Sequence, residues 1–253
     1  MRFHVVDTFA DESFAGNPAA VVVAEAFPAE EAMQGKAHRI GLPTTAFVVP
    51  AAAPDEYRVR WFTPYKEINL CGHATIASAR HLFDRDSGVK RLTFVSDNGV
   101  LRAERDGDLV AIELQAVPPV PCEPPAGLLE ALGTTAVRCA VSSDDILVEV
   151  DSVQAVSAVR PDFAALATQP FRGHIVTARA SSDVDFVSRT FFPALGVNED
   201  QVCVTAHCKL APYWAERLGR TRLTALQLSQ RGGRLEMTLA GDRVRVLGTA
   251  VPR

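Results

Sequence analysis

Read alone, the sequence predicts an α/β (α+β) chain built from two similar halves, and three observations carry that prediction. Strand-like and helix-like stretches alternate along both halves. Residues 117–125 (VPPVPCEPP) hold five prolines in nine positions, the strongest break in the chain. Glu67-Ile68-Asn69-Leu70-Cys71-Gly72-His73-Ala74 also aligns with Glu199-Asp200-Gln201-Val202-Cys203-Val204-Thr205-Ala206 at a constant offset of 132 positions. Three identities in eight are weak by themselves. They gain weight because both copies run from an acidic loop through a cysteine into an apolar helix. The reading is an N-terminal domain over 1–116 and a C-terminal domain over 126–253. A chain of 253 residues that is 47% hydrophobic can bury the cores of two domains of this size.

Element by element, residues 4–9 read as a strand, Gly16-Asn17-Pro18 as a turn, and the apolar run after it as a second strand. A helix pattern runs from Pro28 to about Arg39, with Glu30 and Glu31 in its first turn. Residues 45–49 and 57–62 read as strands, the second alternating. The loop Thr63 to Glu67 leads to Cys71-Gly72-His73 and a helix over about 74–83. Strands at 91–95 and 109–114 flank a turn at Asp97-Asn98-Gly99. In the second half, strands are expected at 145–150, 174–178 and 184–192, with a helix at 162–167. A loop over 193–201 enters a helix at 205–218, and segments at 223–229, 234–239 and 243–247 alternate to the end.

Composition excludes several functions. A net charge of −4 offers no field for nucleic acid or an anionic membrane surface. No apolar run reaches the roughly 20 residues of a membrane-spanning helix. The start, MRFHVVDTF, has no signal-peptide pattern, so a soluble, cytoplasmic protein is expected. Five cysteines without a CxxC pair are no disulfide framework, and six histidines without HExxH or HxH give no metal site. Neither GxGxxG nor GxxxxGK[ST] occurs. The expectation is therefore no metal, no cofactor and a small-molecule partner.

The candidates for chemistry lie at the two loop-to-helix junctions. A helix start presents unpaired N–H groups and the positive end of the helix dipole. Two such starts facing one another would cradle a carboxylate. Beside them stand His73 and Asp200, one proton-transfer candidate per half. Each also has a plain structural explanation, His73 as a core or capping residue and Asp200 as a helix-approach carboxylate. Cys71 and Cys203 read either as an activated thiol pair or as small buried residues, and the second reading is favoured. His207-Cys208 reads as packing, and Lys66-Glu67 as a solvated pair.

Along nearly its whole length the chain resembles the PhzF family of phenazine-biosynthesis-type isomerases, relatives of diaminopimelate epimerase. The resemblance rests on Val6-Asp7-Thr8-Phe9, Phe14-Ala15-Gly16-Asn17-Pro18, Phe62-Thr63-Pro64 and Leu70-Cys71-Gly72-His73-Ala74-Thr75. In the second half it rests on Ser188-Arg189, Glu199-Asp200, Ala206-His207 and Gln227-Leu228-Ser229. It implies a diaminopimelate epimerase-like fold, in which each domain wraps a curved, mostly antiparallel sheet around a central helix. It further implies a cofactor-free active site in a cleft between the domains, and a homodimer. On the matching positions, His73, Asp200 and Thr44 are the implied catalytic residues. Asn17, Thr45, Cys71, Gly72, Val204 and Thr205 are the implied substrate contacts.

Two departures from the family pattern matter. Where the family carries Ser-Glu-Thr-x-Phe, with the glutamate as base, this chain has Pro43-Thr44-Thr45-Ala46-Phe47. A threonine hydroxyl cannot replace a carboxylate as a base near neutral pH. Val204 also stands where the family has a glycine, which narrows the backbone approach at that helix start. Three readings follow. The first is a divergent isomerase that moves a proton on a small unsaturated carboxylate or amino acid, fitting the antibiotic pathways in which such proteins occur. The second is a non-catalytic metabolite-binding protein. The third is a hydrolytic or C–C-cleaving enzyme on the same scaffold.

Overall fold

The protein is described here by a computed structural model that covers residues 2–180 and 183–253. Its contacts divide the chain into two compact units, one of residues 1–114 and 245–253 and one of residues 115–244. The sequence reading ends the first domain at 116 and gives 126–253 to the second. In the structure the last nine residues return to the first unit, because the C-terminal strand finds its hydrogen-bonding partner there.

In the first unit, β1 (His4–Thr8) pairs antiparallel with β2 (Asn17–Val23), which runs parallel to β3 (Thr44–Pro50) after the helix α1 (Glu30–Ile40). Antiparallel to β3 lies β4 (Glu56–Phe62), whose other edge holds the short β5 (Glu67–Ile68) and, in parallel, β6 (Arg91–Ser96). The helix α2 (Gly72–Arg85) intervenes, and β7 (Gly99–Asp106) and β8 (Leu109–Gln115) continue the meander. Every residue of α2 from Gly72 to Ala79 is buried. Such a helix is central rather than amphipathic, and its Gly, Ala, Ser and Thr residues let strands approach on every side.

The second unit repeats this order. The short β9 (Val120–Cys122) and the helix α3 (Leu128–Leu132) precede β10 (Arg138–Ser142), which pairs antiparallel with β9 and with β11 (Asp145–Glu149). After α4 (Val153–Ala158) and α5 (Phe163–Ala167), β12 (Gly173–Arg179) joins β11 in parallel and β13 (Phe186–Phe192) joins β12 antiparallel. The short β14 (Val197–Asp200) and, in parallel, β15 (Arg222–Gln227) share the far edge of β13, with the helix α6 (Val204–Leu218) between them in sequence. β16 (Gly233–Ala240) and β17 (Arg243–Gly248) follow, and β18 (Ala250–Pro252) pairs with β1. β9 on β10 therefore matches β18 on β1. The echo at 67–74 and 199–206 is the visible remnant of a repeat that spans the whole fold.

The structure adds elements that the sequence reading lacks. β7 fills the stretch between the expected strands at 91–95 and 109–114. Its charged, exposed positions hide a strand whose buried residues are only Leu101 and Ala103. The expected loop at 193–201 contains a 3₁₀ turn (Pro193–Leu195) and β14. Asn17 and Pro18 open a strand rather than a turn. The turn lies one residue earlier, at Gly16, whose φ is +66°. A Cβ there would stand 2.2 Å from the Thr8 carbonyl oxygen, so only glycine fits. Among the described residues, no helix is long and apolar enough to cross a membrane.

Candidate functional site

In the first unit the structure joins three of the expected residues directly. Thr44 opens β3, Cys71 is the N-cap of α2, and His73 lies in its first turn. The Cys71 thiol donates to Thr44 Oγ1 at 3.5 Å, and the same sulfur lies 3.4 Å from His73 Nδ1. All three are buried. Burial alone pushes the His73 imidazole down to about 4, so it is neutral at pH 7. Thr75 closes the turn by donating from Oγ1 to the Cys71 carbonyl at 2.8 Å. Asn17 opens β2 two residues before Ala19, the register partner of Thr44, and its carbonyl accepts from Thr8 Oγ1 at 2.9 Å.

Thr45 is not part of this cluster. Successive side chains on a strand point to opposite faces, so Thr45 leaves the face on which Thr44 meets Cys71. Its buried hydroxyl has no hydrogen-bond partner among the described residues.

The second unit holds the matching arrangement. Asp200 ends β14, Cys203 is the N-cap of α6, and Val204 and Thr205 begin the helix. Cys203 Sγ lies 3.3 Å from Thr205 Oγ1, so Thr205 touches its cysteine as His73 touches Cys71. His207, one turn on, repeats the role of Thr75: its Nδ1 donates to the Cys203 carbonyl at 2.8 Å. Burial drives the Cys203 thiol far above its usual range, and the Asp200 charge adds to this. The helix dipole does not win here. Cys203 stays a neutral thiol, which favours the small-buried-residue reading over an activated thiolate.

No side-chain oxygen caps α2 or α6 among the described residues, because a cysteine occupies each N-cap. Val204 is buried and takes the position of Gly72.

Sequence reasoning missed the supports of these junctions. Gln227 is fully buried and ties the second one together. Its Oε1 accepts from the Cys203 N–H at 2.9 Å, while its Nε2 donates to the Asp200 carbonyl at 2.6 Å and to Thr190 Oγ1 at 2.9 Å. Glu67, expected to be a solvated partner of Lys66, instead takes both ends of the Arg60 guanidinium at 2.7 and 2.5 Å. Glu199 does the same for Arg189, at 2.7 and 3.0 Å. Each arginine also covers a phenylalanine two residues on, Arg60 over Phe62 and Arg189 over Phe191. The Glu67/Glu199 identity was the available signal, and each glutamate fixes the strand that leads into its helix.

A recess of about 520 Å³ in the first unit, lined by Glu25, Asp55, Tyr57, Arg85 and Asp86, lies at the C-terminal end of α2 and contains none of these residues.

A repeated mixed α/β unit, each with a largely antiparallel sheet and a buried helix begun by a cysteine, defines the class of protein. Residues 6–253 match the family model described as phenazine biosynthesis-like protein, and the chain belongs to that family. It is 47% identical to an uncharacterized isomerase of Pseudomonas aeruginosa, over 99% of this chain and 95% of that one. It is 35% identical to the human phenazine biosynthesis-like domain-containing protein, over 97% and 94%. The crystal structure of a PhzF-family phenazine biosynthesis protein from Enterococcus faecalis superimposes with a TM-score of 0.93 at 40% identity, over 99% and 95%. A probable proline racemase from Agrobacterium radiobacter shares the fold, with a TM-score of 0.62 at 13% identity over 98% and 90%. The expected epimerase-like fold is thus the observed one, and the relatives named isomerases place the chain in an isomerase family.

Proposed function

We propose that this protein is a divergent isomerase that moves a proton on a small unsaturated carboxylate or amino acid, using His73 and Asp200 and no metal or organic cofactor. One observation carries the reading. The His73 ring lies 3.4 Å from the Cys71 thiol, which reaches Thr44 at 3.5 Å, and burial lowers its pKa to about 4. It is an unprotonated base at neutral pH, linked through Cys71 to Thr44, where the family pattern has its glutamate. Unlike a carboxylate it carries no charge, which suits a substrate whose proton is already acidified by conjugation. Asp200, with its backbone fixed by Gln227, is the second proton-transfer group. Thr44 shapes the substrate contact, and the first turn of α2 supplies N–H donors for a carboxylate. Tautomerisation in secondary-metabolite (antibiotic) biosynthesis is the setting that such a substrate suggests.

The test is mass spectrometry of small unsaturated amino acids incubated with the protein in D2O, with diaminopimelate, a phenazine precursor and conjugated proline precursors in the panel. The expected result is deuterium in one compound, with exchange reduced about 10²- to 10⁴-fold in His73→Ala and Asp200→Ala. Normal turnover by both variants refutes the reading. Saturable binding without any exchange supports the non-catalytic alternative, which the substitution of Thr44 for a carboxylate favours. Oxygen-18 entering a product from labelled water supports the hydrolytic one.

A further inference from the structure

We propose that Cys122 and Cys139 form an oxidisable dithiol, a modification site in the second unit that closes to a disulfide in the folded protein. The two residues are register partners, directly opposite one another on the antiparallel strands β9 and β10. Residues opposed in this way have Cα atoms about 4.5–5.5 Å apart and side chains on the same face. A disulfide spans Cα distances of about 4.4–6.8 Å, so the bond forms without shifting the ladder. The side chains confirm the shared face, since both pack against the same apolar cluster. The two thiols also interact electrostatically, and burial holds both above the ordinary thiol range, Cys139 at about 11. At rest the pair is therefore two thiols, and among the described residues no disulfide is formed.

Cys122 is partly exposed whereas Cys139 is buried, which sets the order of events with a low-molecular-weight disulfide such as oxidised glutathione. The Cys122 thiolate attacks one glutathione sulfur, giving a mixed disulfide and one reduced glutathione. The Cys139 thiolate then attacks Cys122 Sγ and releases the second. The protein loses two protons and two electrons, and the glutathione disulfide gains them. The bond closes a ring that contains the buried helix α3 and pins the short β9 to its neighbour, so it restricts the unfolded chain. This inference does not rest on the proposed isomerase activity.

The experiment treats the folded protein with oxidised glutathione, blocks residual thiols, and maps tryptic peptides without reduction. Cleavage after Arg138 puts the two cysteines on separate peptides, 106–138 and 139–172, because Arg160 precedes Pro161 and is not cleaved. The expected product is these two peptides joined and reversible by dithiothreitol, with an unchanged circular dichroism spectrum and a melting temperature raised by about 5 °C. Cys122→Ser and Cys139→Ser each abolish the joined peptide. The proposal is overturned if both cysteines are recovered as thiols or as separate glutathione adducts, or if either joins a different cysteine. A bond that forms only with loss of the folded spectrum, or that lowers the melting temperature, overturns it as well.

Discussion

His207 offers a quantitative test of how this fold treats a buried imidazole. It is fully buried on α6 and stacks on Phe186 at 6.0 Å between ring centroids. Nδ1 donates to the Cys203 carbonyl, and Nε2 has no partner among the described residues. Burial lowers its pKa from 6.5 to about 4, opposed only in part by that hydrogen bond. The unfolded chain therefore takes up a proton as pH falls through 6.5, while the native ring resists until about pH 4. This part of the stability is whole above pH 6.5, declines between 6.5 and 4, and is flat below. Between pH 7 and pH 4.5 the two titration curves differ by about 2 kcal/mol.

His207→Phe keeps the stack and removes the titrating group. At pH 7 the lost hydrogen bond, about 1 kcal/mol, is offset by removal of an unsatisfied buried nitrogen. The variant should thus stay within about 1 kcal/mol of the parent at neutral pH and gain about 2 kcal/mol on it by pH 4.5. Urea unfolding of both proteins at several pH values between 7 and 4.5, followed by circular dichroism, reads the difference. Every other titrating group cancels in that difference. Parallel stability curves would show that the native ring accepts a proton without penalty, and the burial argument would fail, for His73 as well as for His207.

Two further predictions concern packing. Asp145 is buried between Lys209 and Arg172, whose Nη2 lies 2.6 Å from it. Asp145→Ala leaves the buried Lys209 and the part-exposed Arg172 with only the exposed Asp144 as an acidic partner and should cost about 3 kcal/mol in urea unfolding. In the first unit the matching positions are Ala19 and Ala77, so adding Lys209→Ala should recover a large share of that loss. A double variant less stable than the single one refutes the correspondence. Gly16→Ala puts a Cβ against the Thr8 carbonyl at positive φ and should destabilise by roughly 2 kcal/mol or more. An unchanged unfolding midpoint would show that the turn can relax.

The sequence by itself determined the elements with strong local signatures. The alternation of β4, the apolar run of β2, and the small-residue helices α2 and α6 entered by Cys71-Gly72-His73 and Cys203-Val204-Thr205 are legible because period and composition are local properties. Tertiary structure decided the rest. β9 and β18 are three residues long and contain proline, so their strand character comes from the partner that each one finds. The same is true of charge: Glu67 answers to Arg60, Lys209 to Asp145, and Gln227 to Cys203 and Asp200, across separations of 7 to 64 residues. A side chain's partner is set by which strands pair and in what register. Register is a property of two segments at once, so neither segment's own sequence states it.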